Sequence, residues 1–198
     1  MKLILASQSP RRRELLGQLG VSFECCPADI DETPLNNEFP DAYVIRMAME
    51  KAQVVAAVNP SSWVLGSDTS VIVDGQILGK PESKEHGTDM LLSLSNRTHE
   101  VLTAVALVAV DESNQHSRHC LVKTQVSFRE ISQQMAEAYW HTQEPADKAG
   151  AYGIQGLGGM LVRSITGSYS SVVGLPLAET ADLLMDIGIK GWWSWPQE

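Results

Sequence analysis

Hydrophobic and polar positions along this chain follow two kinds of pattern, and these distinguish expected strands from expected helices. The short apolar run from Lys2 to Ala6 predicts a buried strand. Ser9 then stands directly before Pro10, an order typical of a helix N-cap followed by proline at the first helical position. Leucines recur at helical spacing up to Gly20, at Leu15, Leu16 and Leu19. The chain is therefore expected to open as a strand–loop–helix unit.

Helical periodicity of the apolar residues recurs from Asp41 to Val58, where we expect a second long helix that carries Arg46 and Lys51. A buried strand from Trp63 to Leu65 is expected to end in the polar run GSDTS, which places Asp68 just past the strand end. The run VIVDGQIL follows. Because Asp-Gly between two apolar runs suits a type I′ turn, it predicts a β-hairpin.

Strand-like runs dominate the second half of the chain. HEVLTAVALVAV and HCLVKTQVSFREI predict two long strands joined by a polar loop around Asp111 to Ser117. Ser132 is expected to cap a short helix through Tyr139, and LVRSI predicts another strand before a final amphipathic helix from Leu177 to Ile187. Directly before LVRSI, the run GAYGIQGLGGM is too rich in glycine for a regular element and predicts a binding or turning loop. The long consecutive strands favour an α/β fold with a mixed sheet.

Composition narrows the class of protein. A length of 198 residues suits a single domain over residues 1–198, with a second lobe added to it. No apolar run reaches the ~18 residues that a membrane-spanning helix needs, and the first one is too short for a secretory signal, so we expect a cytoplasmic protein without a membrane partner. The net charge of -9 argues against nucleic acid as a partner.

The loop before the first helix is a candidate anion site. A helix N-terminus presents unpaired N–H groups, and Ser7, Ser9 and the arginines Arg11, Arg12 and Arg13 cluster there. The alternative is a capped helix with a solvated basic face. The loop lacks the G-x-x-x-x-G-K-[ST] pattern, which disfavours a Walker-type nucleotidase.

Acidic and basic residues elsewhere suggest a metal and a phosphate chain. Asp68 and Glu32 lie in separate predicted loops and together could hold Mg²⁺ or Mn²⁺, although turn and capping roles are the alternative. Lys51, Lys80 and Lys148 would match a polyphosphate if they converge on one cleft; otherwise they are ordinary surface charges. Cysteine and histidine spacings give no zinc, disulfide or H-E-x-x-H signature.

Seven motifs in order give the chain a close resemblance to the Maf family of nucleoside triphosphate pyrophosphatases: ASQSPRR, DETP, RMAMEKA, GSDT, LGKP, DKAGAYGIQG and GSYSSVVGLP. The resemblance implies an elongated mixed sheet flanked by helices, with two lobes around a deep cleft, as in Ham1 inosine triphosphate pyrophosphatases. It also implies a homodimer and hydrolysis of a nucleoside triphosphate to the monophosphate and pyrophosphate with a divalent metal.

The same resemblance implies roles for individual residues. Asp68 matches the family's proton acceptor, Glu32 and Asp68 would hold the metal, and Lys80 completes the catalytic set. The residues implied to bind substrate are Ser7, Ser9, Arg11, Arg12, Lys51, Thr69, Lys148 and Gln155.

Three of these positions resemble the branch of the family that acts on dTTP and UTP: Arg11, Thr69 and Gln155. A sister branch acting on 7-methyl-GTP tends to carry Trp, Gln and Glu there. A glutamine amide complements the N3–H donor and the carbonyl acceptor of a pyrimidine, whereas a glutamate offers acceptors alone and suits guanine. Modified pyrimidine nucleotides are a further expected substrate class.

Three alternatives compete with this interpretation. The first is a Ham1-like inosine triphosphate pyrophosphatase, which the SPRR and GIQG elements disfavour. The second is a nucleotide sensor or septum-linked regulator without turnover, which the intact set of Asp68, Glu32 and Lys80 disfavours. A nucleic-acid-binding module is the third, and the acidic charge opposes it.

Overall fold

A computed structural model describes residues 2–110 and 115–195 of the chain. Strands and helices are interspersed along this part of the sequence. In chain order they are β1 (Lys2–Leu5), α1 (Pro10–Gln18), β2 (Glu24–Cys25), α2 (Pro40–Ala57), β3 (Ser62–Val73), β4 (Gln76–Leu78), α3 (Lys84–Leu94), β5 (Thr98–Val110), β6 (Gln115–Phe128), α4 (Gln133–His141), β7 (Val162–Thr166), α5 (Tyr169–Val173) and α6 (Leu177–Asp186). Short 3₁₀ turns lie between several of them.

The strands form a mixed sheet in the order β2-β1-β3-β5-β6-β7, with β4 paired to β3. β1 runs parallel to both β2 and β3, while the β3–β4 and β6–β7 pairs are antiparallel. Parallel neighbours need a crossover connection, which α1 and α2 supply on either side of β2. The predicted α/β fold with a mixed sheet flanked by helices is confirmed.

The chain divides into two compact units. The first unit comprises Met1–Asp68, Thr103–Val122 and Gly174–Glu198. Its interior contains β1, which is almost fully buried from Leu3 to Leu5, together with the buried face of α2. The short apolar run of β1 and the long one of β5 therefore reflect strands that are covered on both faces.

The second unit comprises Thr69–Leu102 and Lys123–Val173. Its core gathers residues of β3, α3, β5, β6 and α4, among them Val71, Leu91, Leu94, Val126 and Phe128. Tyr139 and Tyr152 belong to the same cluster, so part of the glycine-rich run is anchored in the core.

Local sequence signals predicted several boundaries correctly. Ser9 caps α1 by accepting a hydrogen bond from the Arg12 backbone N–H, and Ser132 caps α4 in the same way. The β3–β4 hairpin turns through Asp74 and Gly75, both at positive φ as a type I′ turn requires. Of the loop expected around Asp111 to Ser117, residues 111–114 lie outside the described residues, and the prediction was wrong for residues 115–117, which belong to β6.

One prediction of position was wrong. Asp68 does not follow the end of a strand, because β3 continues through GSDTS to Val73. Polar residues are tolerated inside this buried strand since their side chains find partners; the Ser67 hydroxyl, for example, donates to the Gly174 carbonyl at 3.1 Å. Helix α3 was not predicted. Ser83 caps this helix, but Gly87 lies in its interior and interrupts the helical pattern of the sequence.

No helix within residues 2–110 and 115–195 is long and apolar enough to cross a membrane.

Candidate active site

The loop before α1 is shaped by its own serines. The backbone N–H of Ser9 donates to the Ser7 hydroxyl at 3.1 Å, and the Ser9 hydroxyl accepts from the Arg12 N–H at 3.4 Å. Both serines are half-buried, and Arg11 is half-buried on the first turn of the helix. Hydroxyl groups and a cation therefore surround the N-terminus of α1, where the helix dipole favours an anion.

Arg12 connects distant parts of the chain. Its Nε donates at 2.9 Å to the carbonyl of Gly174, the same oxygen that receives the Ser67 hydroxyl. Burial lowers the pKa of Arg12, while the negative charges of Asp68 and Glu32 raise it. An arginine nevertheless stays cationic at neutral pH. The opening loop is therefore held beside the two acids that the sequence singled out.

Lys51 bridges those two acids. Its Nζ lies 2.8 Å from Oδ1 of Asp68 and 2.7 Å from Oε1 of Glu32. Lys51 and Asp68 are each only 8% exposed, whereas the Glu32 side chain is about half exposed. Since both oxygens contact one ammonium, they lie within two hydrogen-bond lengths of each other.

A close approach of α2 to β3 sets this geometry. A Cβ at Gly66 would collide with the Ala48 carbonyl and lie 2.8 Å from the Ala52 backbone nitrogen. Gly66 and Asp68 point to the same face of the strand because side chains alternate along it. Lys51 is on the helix turn that Gly66 contacts, so its ammonium meets Asp68.

The segment that carries Glu32 is fastened to α2. The Tyr43 hydroxyl donates to the Glu32 carbonyl at 2.8 Å. Arg46 donates to both carboxylate oxygens of Glu38, at 2.7 and 2.6 Å, and to the Thr33 carbonyl at 3.2 Å. Burial, assisted by the charges of Asp68 and Glu32, raises the pKa of Tyr43 to about 12, so its hydroxyl remains a donor at neutral pH.

The two carboxylates that contact Lys51 could supply part of the ligand set of a hard cation. Carboxylate oxygens are the ligands that Mg²⁺ and Mn²⁺ prefer, and Mg²⁺ is commonly held by one or two carboxylates together with substrate phosphates. Glu32 and Asp68 provide that pair. No group of three or more metal-ligating side chains occurs among residues 2–110 and 115–195, so an all-protein cage is absent from the described chain.

The remaining predicted site residues, Thr69, Lys80, Lys148 and Gln155, belong to the second unit. Thr69 is half-buried on β3, while Lys80 and Gln155 are exposed. The ammonium of Lys148 contacts the Glu144 carbonyl and the Asp147 carboxylate, each at 2.7 Å. The Gly150 N–H donates to the Gly79 carbonyl at 3.0 Å, which ties the loops of Lys80 and Lys148 together. Their roles in binding stay predictions.

Sequence reasoning missed a pair of residues that hold the glycine-rich run. The Glu144 carboxylate accepts the backbone N–H of Leu157 at 2.8 Å and of Gly158 at 3.0 Å, and the Tyr139 hydroxyl at 2.7 Å. Tyr139 in turn accepts the Gly153 N–H at 3.0 Å. Burial opposes ionisation of Glu144, but these hydrogen bonds outweigh it and lower its pKa. The clustered glycines were the only signal in the sequence for this contact.

The family described as Maf-like protein matches residues 2–187. A protein of Colwellia psychrerythraea named dTTP/UTP pyrophosphatase is 52% identical over 195 residues, which cover 96% of this chain and 90% of that protein. Another of the same name, from Myxococcus xanthus, is 50% identical over 191 residues, covering 96% and 95%. Among solved structures, the Staphylococcus aureus Ham1 protein matches with 16% identity and a TM-score of 0.40 over 64% of this chain and 72% of that one.

Proposed function

The chain belongs to the Maf-like protein family, and from that premise we propose that it is a nucleoside triphosphate pyrophosphatase that hydrolyses dTTP and UTP to the monophosphate and pyrophosphate. The observation that carries the proposal is the Lys51 ammonium bridging Asp68 and Glu32 beside the cationic Arg12. Relatives that share about half of their residues with this chain over nearly their whole length support the substrate class. Modified pyrimidine triphosphates belong to the same class of substrate.

Asp68 is the proposed general base. It takes a proton from a water molecule whose oxygen attacks the α-phosphorus. The bond between the α- and β-phosphates then breaks, and pyrophosphate leaves with the bonding electrons. Burial and the contact with Lys51 hold the carboxylate in one position, which general-base catalysis requires.

Positive charge and backbone donors stabilise the developing negative charge on the phosphates. Arg12 and the N-terminus of α1, with the Ser7 and Ser9 hydroxyls, supply the first set of contacts. Lys51 and Lys80 supply further charge, and Lys148 is proposed to join them by exchanging its contact with Asp147 for a phosphate oxygen.

Glu32 and Asp68 are the residues proposed to hold Mg²⁺ or Mn²⁺. A metal bound there would neutralise phosphate charge and polarise the phosphoryl oxygens. Their carboxylate oxygens are of the right chemistry, and their common contact with Lys51 keeps them near each other.

Selectivity for the base is assigned to Gln155, with Thr69 and Arg11. The exposed Gln155 amide offers one acceptor and one donor group, complementary to the N3–H and the carbonyl of thymine or uracil. We further propose that the enzyme is a cytoplasmic homodimer without a nucleic-acid or membrane partner. Its three free cysteines suit a reducing compartment.

A substrate panel tests the function directly. Purified enzyme is given dTTP, UTP, CTP, GTP, ITP and 7-methyl-GTP with Mg²⁺ or Mn²⁺, and pyrophosphate is measured separately from orthophosphate. We expect pyrophosphate as the first product, with dTTP and UTP preferred and no turnover in a chelator. Orthophosphate as the first product would overturn the proposal, and a clear preference for ITP would favour the Ham1-like alternative.

A further inference from the structure

The glycine-rich segment of residues 153–158 lies directly against Tyr139, Glu144 and Lys148. A Cβ at Gly156 would collide with the Glu144 carboxylate, and a Cβ at Gly158 would collide with the Tyr139 hydroxyl. At Gly153 it would come within 2.8 Å of Cε of Lys148. The glycines therefore permit a close approach of backbone to these side chains, which is one of the main uses of glycine.

The contacts of this support fall on both sides of Gln155. Tyr139 accepts the N–H of Gly153 ahead of it, and Glu144 accepts the N–H groups of Leu157 and Gly158 behind it. Gln155 itself lies in the exposed turn between them. Its backbone position is fixed by groups 11 to 16 residues earlier in the chain, not by the glycine run.

We propose that Glu144 is a positioning residue for base selectivity: through Tyr139 and the backbone of residues 157 and 158, it holds the turn that presents Gln155 to the pyrimidine. The inference rests on the proposed function, because it gives the Gln155 amide a base to recognise. Glu144 itself does not touch the substrate.

Physical chemistry explains why a charged residue is used. A glycine-rich segment has many accessible conformations, so ordering it costs more entropy than ordering most others. Hydrogen bonds from backbone N–H groups to an ionised carboxylate are about twice as strong as neutral ones and offset that cost. A loosened turn would let the Gln155 amide leave the plane of the base, which weakens discrimination more than it weakens phosphate chemistry.

The test compares Glu144→Gln with a matched control, Glu137→Gln, which makes the same chemical change on α4, where Glu137 contacts Gln133. In Glu144→Gln we expect KM for dTTP to rise with kcat little changed, and the dTTP-over-GTP preference in kcat/KM to fall roughly tenfold or more. Amide hydrogen exchange at Leu157 and Gly158 should accelerate in the same variant. The control should match the wild type in both measurements.

A folded Glu144→Gln enzyme with wild-type preference, or with unchanged exchange at these two amides, would overturn the inference while leaving the proposed function intact. A wild-type enzyme that releases no pyrophosphate from any triphosphate would instead overturn the proposed function and this inference with it. If Glu144→Gln does not fold, Tyr139→Phe replaces it, since it removes one hydroxyl and keeps the ring in the core. The same loss of preference is then expected, to a smaller extent.

Discussion

The Nζ of Lys51 lies 2.8 Å from Oδ1 of Asp68, and both side chains are almost entirely buried. An ion pair in such a position is seldom retained for stability, because desolvation of two charges offsets most of their attraction. Deleting one partner is costly for the same reason, since it leaves an uncompensated charge. The Asp68 carboxylate is therefore well placed for chemistry, and its replacement must preserve a partner for Lys51.

Replacing Asp68 by asparagine should remove turnover without unfolding the protein. The amide oxygen still accepts from Lys51, and Glu32 still compensates its charge, but the proton acceptor is gone. We expect kcat to fall roughly 10²- to 10⁴-fold. Pyrophosphate release and thermal unfolding are the measurements, and Asp74→Asn, an exposed turn position paired with Arg97, is the matched control. Full activity in Asp68→Asn would remove Asp68 from its proposed role.

Replacing Gln155 by glutamate should weaken the preference for pyrimidines. The carboxylate loses the donor that a pyrimidine carbonyl needs and gains acceptors that suit the adjacent N–H groups of guanine. We expect the ratio of kcat/KM for dTTP to that for GTP to fall by about 10-fold or more. Gln134→Glu, an exposed position on α4, makes the same change as a control. An unchanged ratio in Gln155→Glu would exclude this residue from base recognition.

The Glu38–Arg46 pair should make the stability of the fold fall in acid, at pH values below the ordinary pKa of a glutamate. The hydrogen bond from Arg46 lowers the pKa of Glu38 from 4.5 to about 2. A lowered pKa in the folded state means that the stabilisation is complete above pH 4.5 and is lost as the pH falls towards 2. Unfolding free energies of wild type and Glu38→Gln should thus differ at pH 7 and converge near pH 2. A constant difference across that range would contradict the assignment.

Buried His99 should destabilise the fold in acid through a separate route. Its Nε2 lies 2.9 Å from the Tyr152 hydroxyl, its ring packs against Phe128, and burial lowers its pKa from 6.5 to about 4. Within the part of the chain that the structure describes, its Nδ1 is buried without a hydrogen-bond partner. The unfolded chain binds a proton more readily than the folded one, so stability should decline between pH 6.5 and 4 by about 3 kcal/mol.

Unfolding experiments on His99→Gln test this expectation, because glutamine can still pair with Tyr152 but does not titrate. Its stability should change less between pH 6.5 and 4 than that of the wild type. His119→Gln, at an exposed position on β6, should keep the wild-type dependence. If both variants follow the wild-type curve, His99 does not govern the response.

Local signals carried most of the fold prediction. Ser9 with Pro10 predicted the start of α1, Asp74 with Gly75 predicted the hairpin, and Ser132 predicted the cap of α4. Each is a contact between residues at most three positions apart, which a sequence displays directly.

Contacts between distant residues were beyond that reach. Nothing near Lys51 in the sequence shows that its ammonium contacts both Glu32 and Asp68. In the sequence Glu144 resembles an ordinary surface acid, and its contacts with the backbone of residues 157 and 158 appear only in the structure. The polar residues of GSDTS likewise suggested a loop. Their hydrogen-bond partners, which allow β3 to continue, lie far away in the sequence and could not be predicted. The motif resemblance supplied the residue identities, and the folded chain supplied their relationships.

Gly66 has a consequence for how this protein tolerates change over time. The missing side chain lets the main chain of β3 approach that of α2 at Ala48 and Ala52, so the separation of helix and strand depends on the absence of a side chain at position 66. The distance from Lys51 to Asp68 is then a property of the scaffold more than of its neighbours. A side chain at position 66 would push α2 away from β3 and so change the spacing of these two charges.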